Sequence, residues 1–386
     1  MKRIAYLGWL GAGNLGDDGC YELFSRCVRA FSPNIACVPI TIRDSKGMLF
    51  ARRAGAGPQS LEPWQPELYD YVVLGGGSLL NAGRYVEALV QAQAAGVPTA
   101  VWGTGFDGLP HEVVPQLLSG RKLPPKAREA APVPHPAMAQ VLRSCRAAGV
   151  RGPVTAAWLQ ANGCEPPRAS GDPGLLLGLF EPGRPEILES HGSPRFCANP
   201  ESAENAQIRE IPTPPDIPWA QETLEGPATE EPAPFETPQA PTPASAPESS
   251  PACAPAPAAG SRPAESTQDR ITVIWGASRA ATHAGTTHEA LTGAVAGWLK
   301  KAAGDFRPII CAVWSHDVPW ARELATLVGE GVAEFPDAPL TLGAFRALMQ
   351  RSVLTLSYRL HGCIFSAACN TPFGSVAYRS KCYDFA

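Results

Sequence analysis

Arg3-Ile4-Ala5-Tyr6-Leu7-Gly8-Trp9-Leu10 runs directly into Gly11-Ala12-Gly13-Asn14-Leu15-Gly16-Asp17-Asp18-Gly19. The first stretch is almost continuously apolar, as a strand buried on both faces of a parallel sheet must be. The second is a glycine-rich turn. After it, Leu23, Phe24, Cys27, Val28 and Phe31 recur at the spacing of an amphipathic helix. Strand, glycine turn and helix form the repeating unit of a parallel sheet with helices on both faces.

The unit recurs along the chain. Residues 35–40 read as a second apolar strand. Residues 69–74 read as a third, running into Gly75-Gly76-Gly77-Ser78, and 97–102 as a fourth, ending at Gly103 and Gly105. Residues 150–163 read as a strand end and a helix, and 169–177 as the lead into a last strand. The rhythm then stops. Of the chain's 41 prolines, 19 fall between Pro182 and Pro263, among Ala, Glu, Ser and Thr. Such a stretch buries too little apolar surface to offset its ordering entropy. It reads as a disordered Pro/Ala-rich linker, with a docking segment for another protein as the alternative.

The α/β rhythm resumes with a strand at 270–275, followed by Gly276-Ala277-Ser278-Arg279. A helix at 291–302, a strand at 308–313, helices at 320–328 and 342–349 and a strand at 353–356 come next. That strand ends in Ser357-Tyr358-Arg359-Leu360-His361-Gly362, before a helix at 364–369 and a strand at 373–377. The pattern predicts an α/β protein with two Rossmann-like parallel-sheet domains, residues 1–181 and 270–386, joined by a disordered linker at 182–269.

Bulk composition narrows the function classes. With 386 residues, 45% hydrophobic and 18% charged, the chain has room for two folded cores. A net charge of -4 gives no support for a nucleic-acid partner. The eleven cysteines contain no C-x-x-C pair, which argues against a zinc ribbon or thioredoxin motif and favours a reducing compartment. Lys2 and Arg3 precede an apolar run, but it stops at Gly11 and acidic residues follow, so it reads as a first strand rather than a secretory signal. No apolar run reaches the ~18 residues of a membrane helix. The expected location is the cytoplasm, with no membrane span.

The candidate site residues all sit at strand ends. In Gly13 to Gly19, glycines let backbone approach a ligand, while Asp17 and Asp18 would repel a phosphate. A carboxylate there suits a sugar hydroxyl, as acceptor or general base, although one of the two aspartates reads as a helix cap. Gly75-Gly76-Gly77-Ser78 reads equally as a tight turn or a ligand loop. Arg151 in Val150-Arg151-Gly152-Pro153 reads as a solvated turn residue, and Asp172 in Gly171-Asp172-Pro173-Gly174 as a turn former. Arg359 and His361 lie two residues apart just before a helix, where a guanidinium can grip an anion and an imidazole can move a proton. Lys381, in Tyr378-Arg379-Ser380-Lys381, reads by itself as surface charge.

Taken in order, these motifs resemble the polysaccharide pyruvyl transferase family. The resemblance spans both folded halves and omits the linker. It implies a glycosyltransferase-B-like arrangement, with the acceptor held by the first domain and phosphoenolpyruvate by the second. Arg359-Leu360-His361 matches the family's Arg-Leu-His motif, which is associated with phosphoenolpyruvate. On this resemblance, His361 and Asp17 are the expected catalytic residues. Arg359, Leu360, Arg279, Lys381, Asn14, Gly16, Gly76, Gly77 and Ser78 are the expected substrate contacts, and no metal or cofactor is called for. The implied partners are phosphoenolpyruvate and a carbohydrate acceptor, such as a cell-wall, exopolysaccharide or lipid-linked sugar. Two other readings remain open: a sialyltransferase-like nucleotide-sugar glycosyltransferase, suggested by Asp17-Asp18-Gly19 and His135-Pro136, and a non-catalytic scaffold relative.

Overall fold

A computed structural model of the chain describes residues 1–45, 47–53, 61–121, 123–165, 167–180, 269–277 and 286–385. Of the expected linker only Asp269 is among them, and Arg279 also lies outside the described residues.

The first half is one sheet. Its strands are β1 (Lys2–Leu7), β2 (Ile35–Ser45), β3 (Met48–Arg53), β4 (Glu62–Pro63), β5 (Tyr71–Leu74), β6 (Thr99–Thr104), β7 (Ala147–Val150) and β8 (Arg168–Ala169). They lie in the order β4-β3-β2-β1-β5-β6-β7-β8. All neighbours from β2 to β8 are parallel, with Leu7 level with Ile40 on one side and Leu74 on the other. Leu7, Ile40, Val72 and Leu74 are fully buried, as the continuous apolar runs require.

Two features depart from the sequence reading. β2 continues to Ser45 and folds back antiparallel onto β3, with Ile40 opposite Arg53 and Ser45 opposite Met48. Residues 169–177 do not lead into a strand. β8 is two residues long, and a 3-10 helix spans Pro173–Leu179. The cause is local: Pro173 fixes φ at the first helical position, and the Asp172 side chain accepts from the Gly174 amide at 2.8 Å.

The second half contains β9 (Arg270–Ile274), β10 (Arg307–Cys311), β11 (Ser352–Ser357) and β12 (Phe373–Ser375), all parallel, in the order β10-β9-β11-β12. Helices His288–Ala302, Val318–Val328, Leu342–Met349 and Leu360–Ala368 connect and cover them. Thr287 and Thr341 start two of these helices by accepting from the amides of Ala290 and Ala344.

The order of strands positions the site. From β1 the chain turns to β2 on one side and returns to β5 on the other. From β9 it turns to β10 and returns to β11. Each reversal opens a crevice beyond the strand carboxyl ends, where open α/β sheets bind ligands.

The two halves pack against each other. One hydrophobic cluster mixes Leu23 and Leu177 of the first half with Ile274, Val313, Phe345, Ile364 and Phe365 of the second. Gly174 leaves the space that Phe365 fills: a Cβ there would lie 2.8 Å from its ring. The loop after β1 also bridges the loop after β10, with the Leu15 amide on the Val313 carbonyl at 2.8 Å and the Ser315 amide on the Gly13 carbonyl at 3.1 Å.

Candidate active site

The two reversals face each other across a cleft of about 400 Å³. Asn14 and Asp17 come from the turn after β1, and Gly77 and Ser78 from the turn after β5. Arg359, Leu360 and His361 follow β11, and Lys381 follows β12. The fold therefore brings together eight of the residues singled out from the sequence. Gly16 and Gly76 are not on the cleft wall, and Arg279 is outside the described residues.

Helix Leu15–Phe31 starts inside the expected turn, because the Asn14 side chain accepts from the Gly16 amide at 3.1 Å. The cap is thus Asn14, not an aspartate. Asp18 accepts from the Gly11 amide at 2.8 Å, on the exposed side. Asp17 turns inward and is 7% exposed. Burial raises its carboxyl to about 6, and the charges of His361 and Lys381 partly oppose that rise.

Gly16 has a steric role. A Cβ on it would lie 2.0 Å from His361 Nδ1, so the imidazole of the second half sits directly against this backbone, one residue from Asp17. Gly76 is similarly pressed, with a Cβ position 2.9 Å from Cys20 Sγ. Gly77 has φ +90°, which favours glycine. Its carbonyl accepts from Arg151 Nη1 at 3.2 Å.

His361 has a buried partner that its sequence neighbourhood did not reveal. Its Nε2 lies 3.7 Å from Asp172 Oδ2, an ion-pair distance rather than a hydrogen bond. Burial acts to raise the Asp172 carboxyl, but His361, Arg151 and the Gly174 amide outweigh it and hold it below the usual carboxylate range. Asp172 is thus both the turn former expected and a charge fixed beside the imidazole.

Arg359 donates through Nε to Asp317 Oδ2 at 2.7 Å and through Nη2 to Asp317 Oδ1. Nη2 also donates to the Ala277 carbonyl at 2.8 Å, and Nη1 to the Tyr378 hydroxyl at 3.1 Å. Burial works against the guanidinium charge, and Asp317 and Tyr378 more than restore it, so its pKa is raised. Most of the fork is thus committed to the protein. Lys381 lies in the cleft 3.7 Å from Asp107, with Arg379 on the same carboxylate at 3.1 Å. Burial disfavours the Lys381 charge, but Tyr378 and Asp107 raise its pKa, so it is not the surface charge its sequence suggested.

Arg151 is also different from its sequence reading. Its side chain is 1% exposed and pairs with Asp384 at 3.4 Å, and Asp384 in turn accepts from the Thr155 amide and hydroxyl at 2.9 and 2.6 Å. Arg151, held in this way, forms part of one side of the cleft. Trp9 and Trp314 line the other side, with ring centroids 5.7 Å apart and close to edge-on. His135, considered above as half of a His-Pro pair, lies outside the cleft, 3.9 Å from Glu87.

Two packed α/β halves thus present a cleft lined by polar and charged side chains at their facing strand ends. The polysaccharide pyruvyl transferase family model matches residues 14–215, and the chain belongs to that family, a family of transferases. No curated protein sequence matches it. Among solved structures it is similar to S. aureus MnaA in a UDP co-structure, at 9% identity and a TM-score of 0.46, over 97% of this chain and 79% of that one. It is also similar to Neisseria meningitidis UDP-GlcNAc 2-epimerase bound to UDP-GlcNAc, at 10% identity and a TM-score of 0.46, over 97% and 82%. A third is the E. coli heptosyltransferase WaaC with ADP-2-deoxy-2-fluoro heptose, at 9% identity and a TM-score of 0.33, over 97% and 88%.

Proposed function

We propose that the chain transfers pyruvate from phosphoenolpyruvate to a sugar hydroxyl of a polysaccharide, or of its lipid- or nucleotide-linked precursor, forming a pyruvate ketal. The observation that carries this reading is the seating of His361 against Gly16, beside Asp17, in a cleft that also holds Lys381, Arg151, Arg359 and Arg379.

The chemistry suits these groups. Phosphoenolpyruvate carries a phosphate and a carboxylate, and Lys381 with the remaining Nη1 donor of Arg359 supplies cationic contacts for them. His361, held beside Asp172, delivers a proton to the methylene carbon. The neighbouring carbon becomes electrophilic. A sugar hydroxyl attacks it and passes its proton to Asp17, whose raised pKa makes it a better base near neutrality than an ordinary aspartate. A second hydroxyl then attacks the same carbon as phosphate leaves with the electrons of its C–O bond, and the hydroxyl proton passes to the now neutral His361, closing the ketal. One phosphoenolpyruvate and one diol give one ketal and one phosphate.

The test is phosphate release from phosphoenolpyruvate in the presence of a panel of saccharide acceptors, with the product examined by NMR for a ketal methyl group. Acceptor-dependent phosphate release with a ketal methyl supports the proposal. Transfer of sugar from a nucleotide sugar, with phosphoenolpyruvate untouched, refutes it. Among the described residues no helix is long and apolar enough to cross a membrane.

A further inference from the structure

Three metal-ligating side chains from separate elements converge at the cleft. Cys20 Sγ, on helix Leu15–Phe31, lies 3.2 Å from Asp172 Oδ1 and 3.7 Å from His361 Nε2. His361 Nε2 lies 3.7 Å from Asp172 Oδ2. Cys20 is fully buried and Asp172 3% exposed, and Asp172 Oδ2 has no hydrogen-bond partner. Nothing in the transfer chemistry above uses the Cys20 thiol.

We infer that Cys20, Asp172 and His361 form a binding site for a zinc-like divalent cation, and that occupancy of this site withdraws His361 from catalysis. Zinc holds thiolate sulfur at about 2.3 Å and imidazole nitrogen or carboxylate oxygen at about 2.0 Å in a tetrahedron, which sets ligand atoms roughly 3.3–3.6 Å apart. One donor atom from each residue lies within 4.8 Å of the others, with sulfur and nitrogen 3.7 Å apart and each 3.2 to 3.7 Å from one Asp172 oxygen, Oδ1 for sulfur and Oδ2 for nitrogen, so small side-chain shifts reach that geometry. One sulfur, one nitrogen and one oxygen donor suit zinc or cobalt. They do not suit magnesium or calcium, which want six or more oxygens.

Charge also balances. The metal forms a bond to sulfur, the S–H bond breaks, and the proton leaves to solvent, so thiolate and carboxylate neutralise the dication. Asp172 Oδ2, the carboxylate oxygen that has no hydrogen-bond partner, gains one in the metal. His361 lines the cleft, so the fourth position opens to water there. A bound metal occupies Nε2 and its partner Asp172 together, which removes the proton carrier and its charge support at once. This second consequence rests on the transferase reading; the binding itself does not.

The test uses the full chain without substrate. Zinc is titrated by calorimetry, and cobalt by absorption, where a thiolate ligand gives a sulfur-to-cobalt charge-transfer band. The site predicts a bound equivalent and that band, with affinity falling at least roughly tenfold in Cys20→Ser and Asp172→Asn. Cys20→Ala is the second variant should serine disturb folding, and circular dichroism checks each. No bound equivalent in the wild type, or a cobalt band unchanged in both Cys20 variants, overturns the site. If zinc binds as expected but phosphoenolpyruvate turnover changes neither on adding zinc nor on chelating it, the inhibitory half is overturned and the site stands. Metal binding with no turnover of phosphoenolpyruvate under any condition counts against the transferase reading alone.

Discussion

Asp172 Oδ2 and His361 Nε2 lie 3.7 Å apart across the seam between the two halves of the chain. The aspartate belongs to the turn after β8, and the histidine to the start of helix Leu360–Ala368. A carboxylate held buried beside an imidazole helps to fix the orientation of the ring. Neither residue has this partner within its own half, so the site exists only when the halves are packed.

Asp172→Asn keeps the shape and removes the charge. It should lower kcat roughly 10²-fold, the lower end of what a proton-transfer group contributes, with a smaller change in KM for phosphoenolpyruvate. Steady-state kinetics on a variant shown to be folded would check it. A KM effect with kcat intact would mean that Asp172 acts on binding instead.

Asp17 should set an acid limb. Its carboxyl is pushed up to about 6 from an ordinary 3.8, so the base form is lost as pH falls through about 6, and kcat/KM should fall with it. The stability sign is opposite to that of a salt-bridged aspartate. Between 3.8 and about 6 the folded chain holds a proton that the unfolded chain has released, so this group reduces stability as pH rises through that window. Asp17→Asn should therefore raise Tm at pH 8 while lowering activity by roughly 10²–10⁴-fold, and the Tm gain should shrink toward pH 4. Thermal melts across that pH range would decide it.

Arg359 and Lys381 should separate stability from ligand binding. Arg359 is paired with Asp317, which is 1% exposed, so Arg359→Ala strands a buried carboxylate and should cost about 3–5 kcal/mol of stability. The double variant Arg359→Ala with Asp317→Asn should recover part of that. Lys381→Ala should weaken phosphoenolpyruvate binding at least roughly tenfold, the loss of one charge-assisted contact, with a smaller fall in Tm. Urea unfolding and ligand titration on all three variants would show the division.

Asp384→Ala should unlock the cleft's far wall. It leaves Arg151 buried without its ion pair and the Thr155 amide and hydroxyl without their acceptor. A loss of about 3–5 kcal/mol is expected, read from the urea midpoint. A change below 1 kcal/mol would mean that water replaces the carboxylate there.

The sheet core and the cleft's location were legible in the sequence, because continuous apolar strands followed by glycine turns leave few alternatives. The loops that carry Asp17, Gly77, Ser78 and His361 follow from the same pattern. The β2–β3 hairpin was not legible, since Thr41 to Arg53 mixes apolar and charged residues without a familiar turn pair. Arg151 was misread, and the local readings of Asp172 and Lys381 were incomplete, for a common reason. Their partners, His361, Asp384 and Asp107, are distant in sequence, so local context gave each only its commonest surface role. Trp9 and Trp314 were missed likewise, because each reads as ordinary core until the opposite loop is in place. Asn14 was preferred over the aspartates as the helix cap by backbone geometry that composition does not encode.

The central claim is that the cleft binds phosphoenolpyruvate. Thermal denaturation of the wild type, His361→Ala and Lys381→Ala, titrated with phosphoenolpyruvate and separately with cytidine and uridine sugars, tests it directly. Saturable stabilisation of the wild type by phosphoenolpyruvate, weakened in both variants, is the predicted result. Stabilisation by a nucleotide sugar with no response to phosphoenolpyruvate would contradict it.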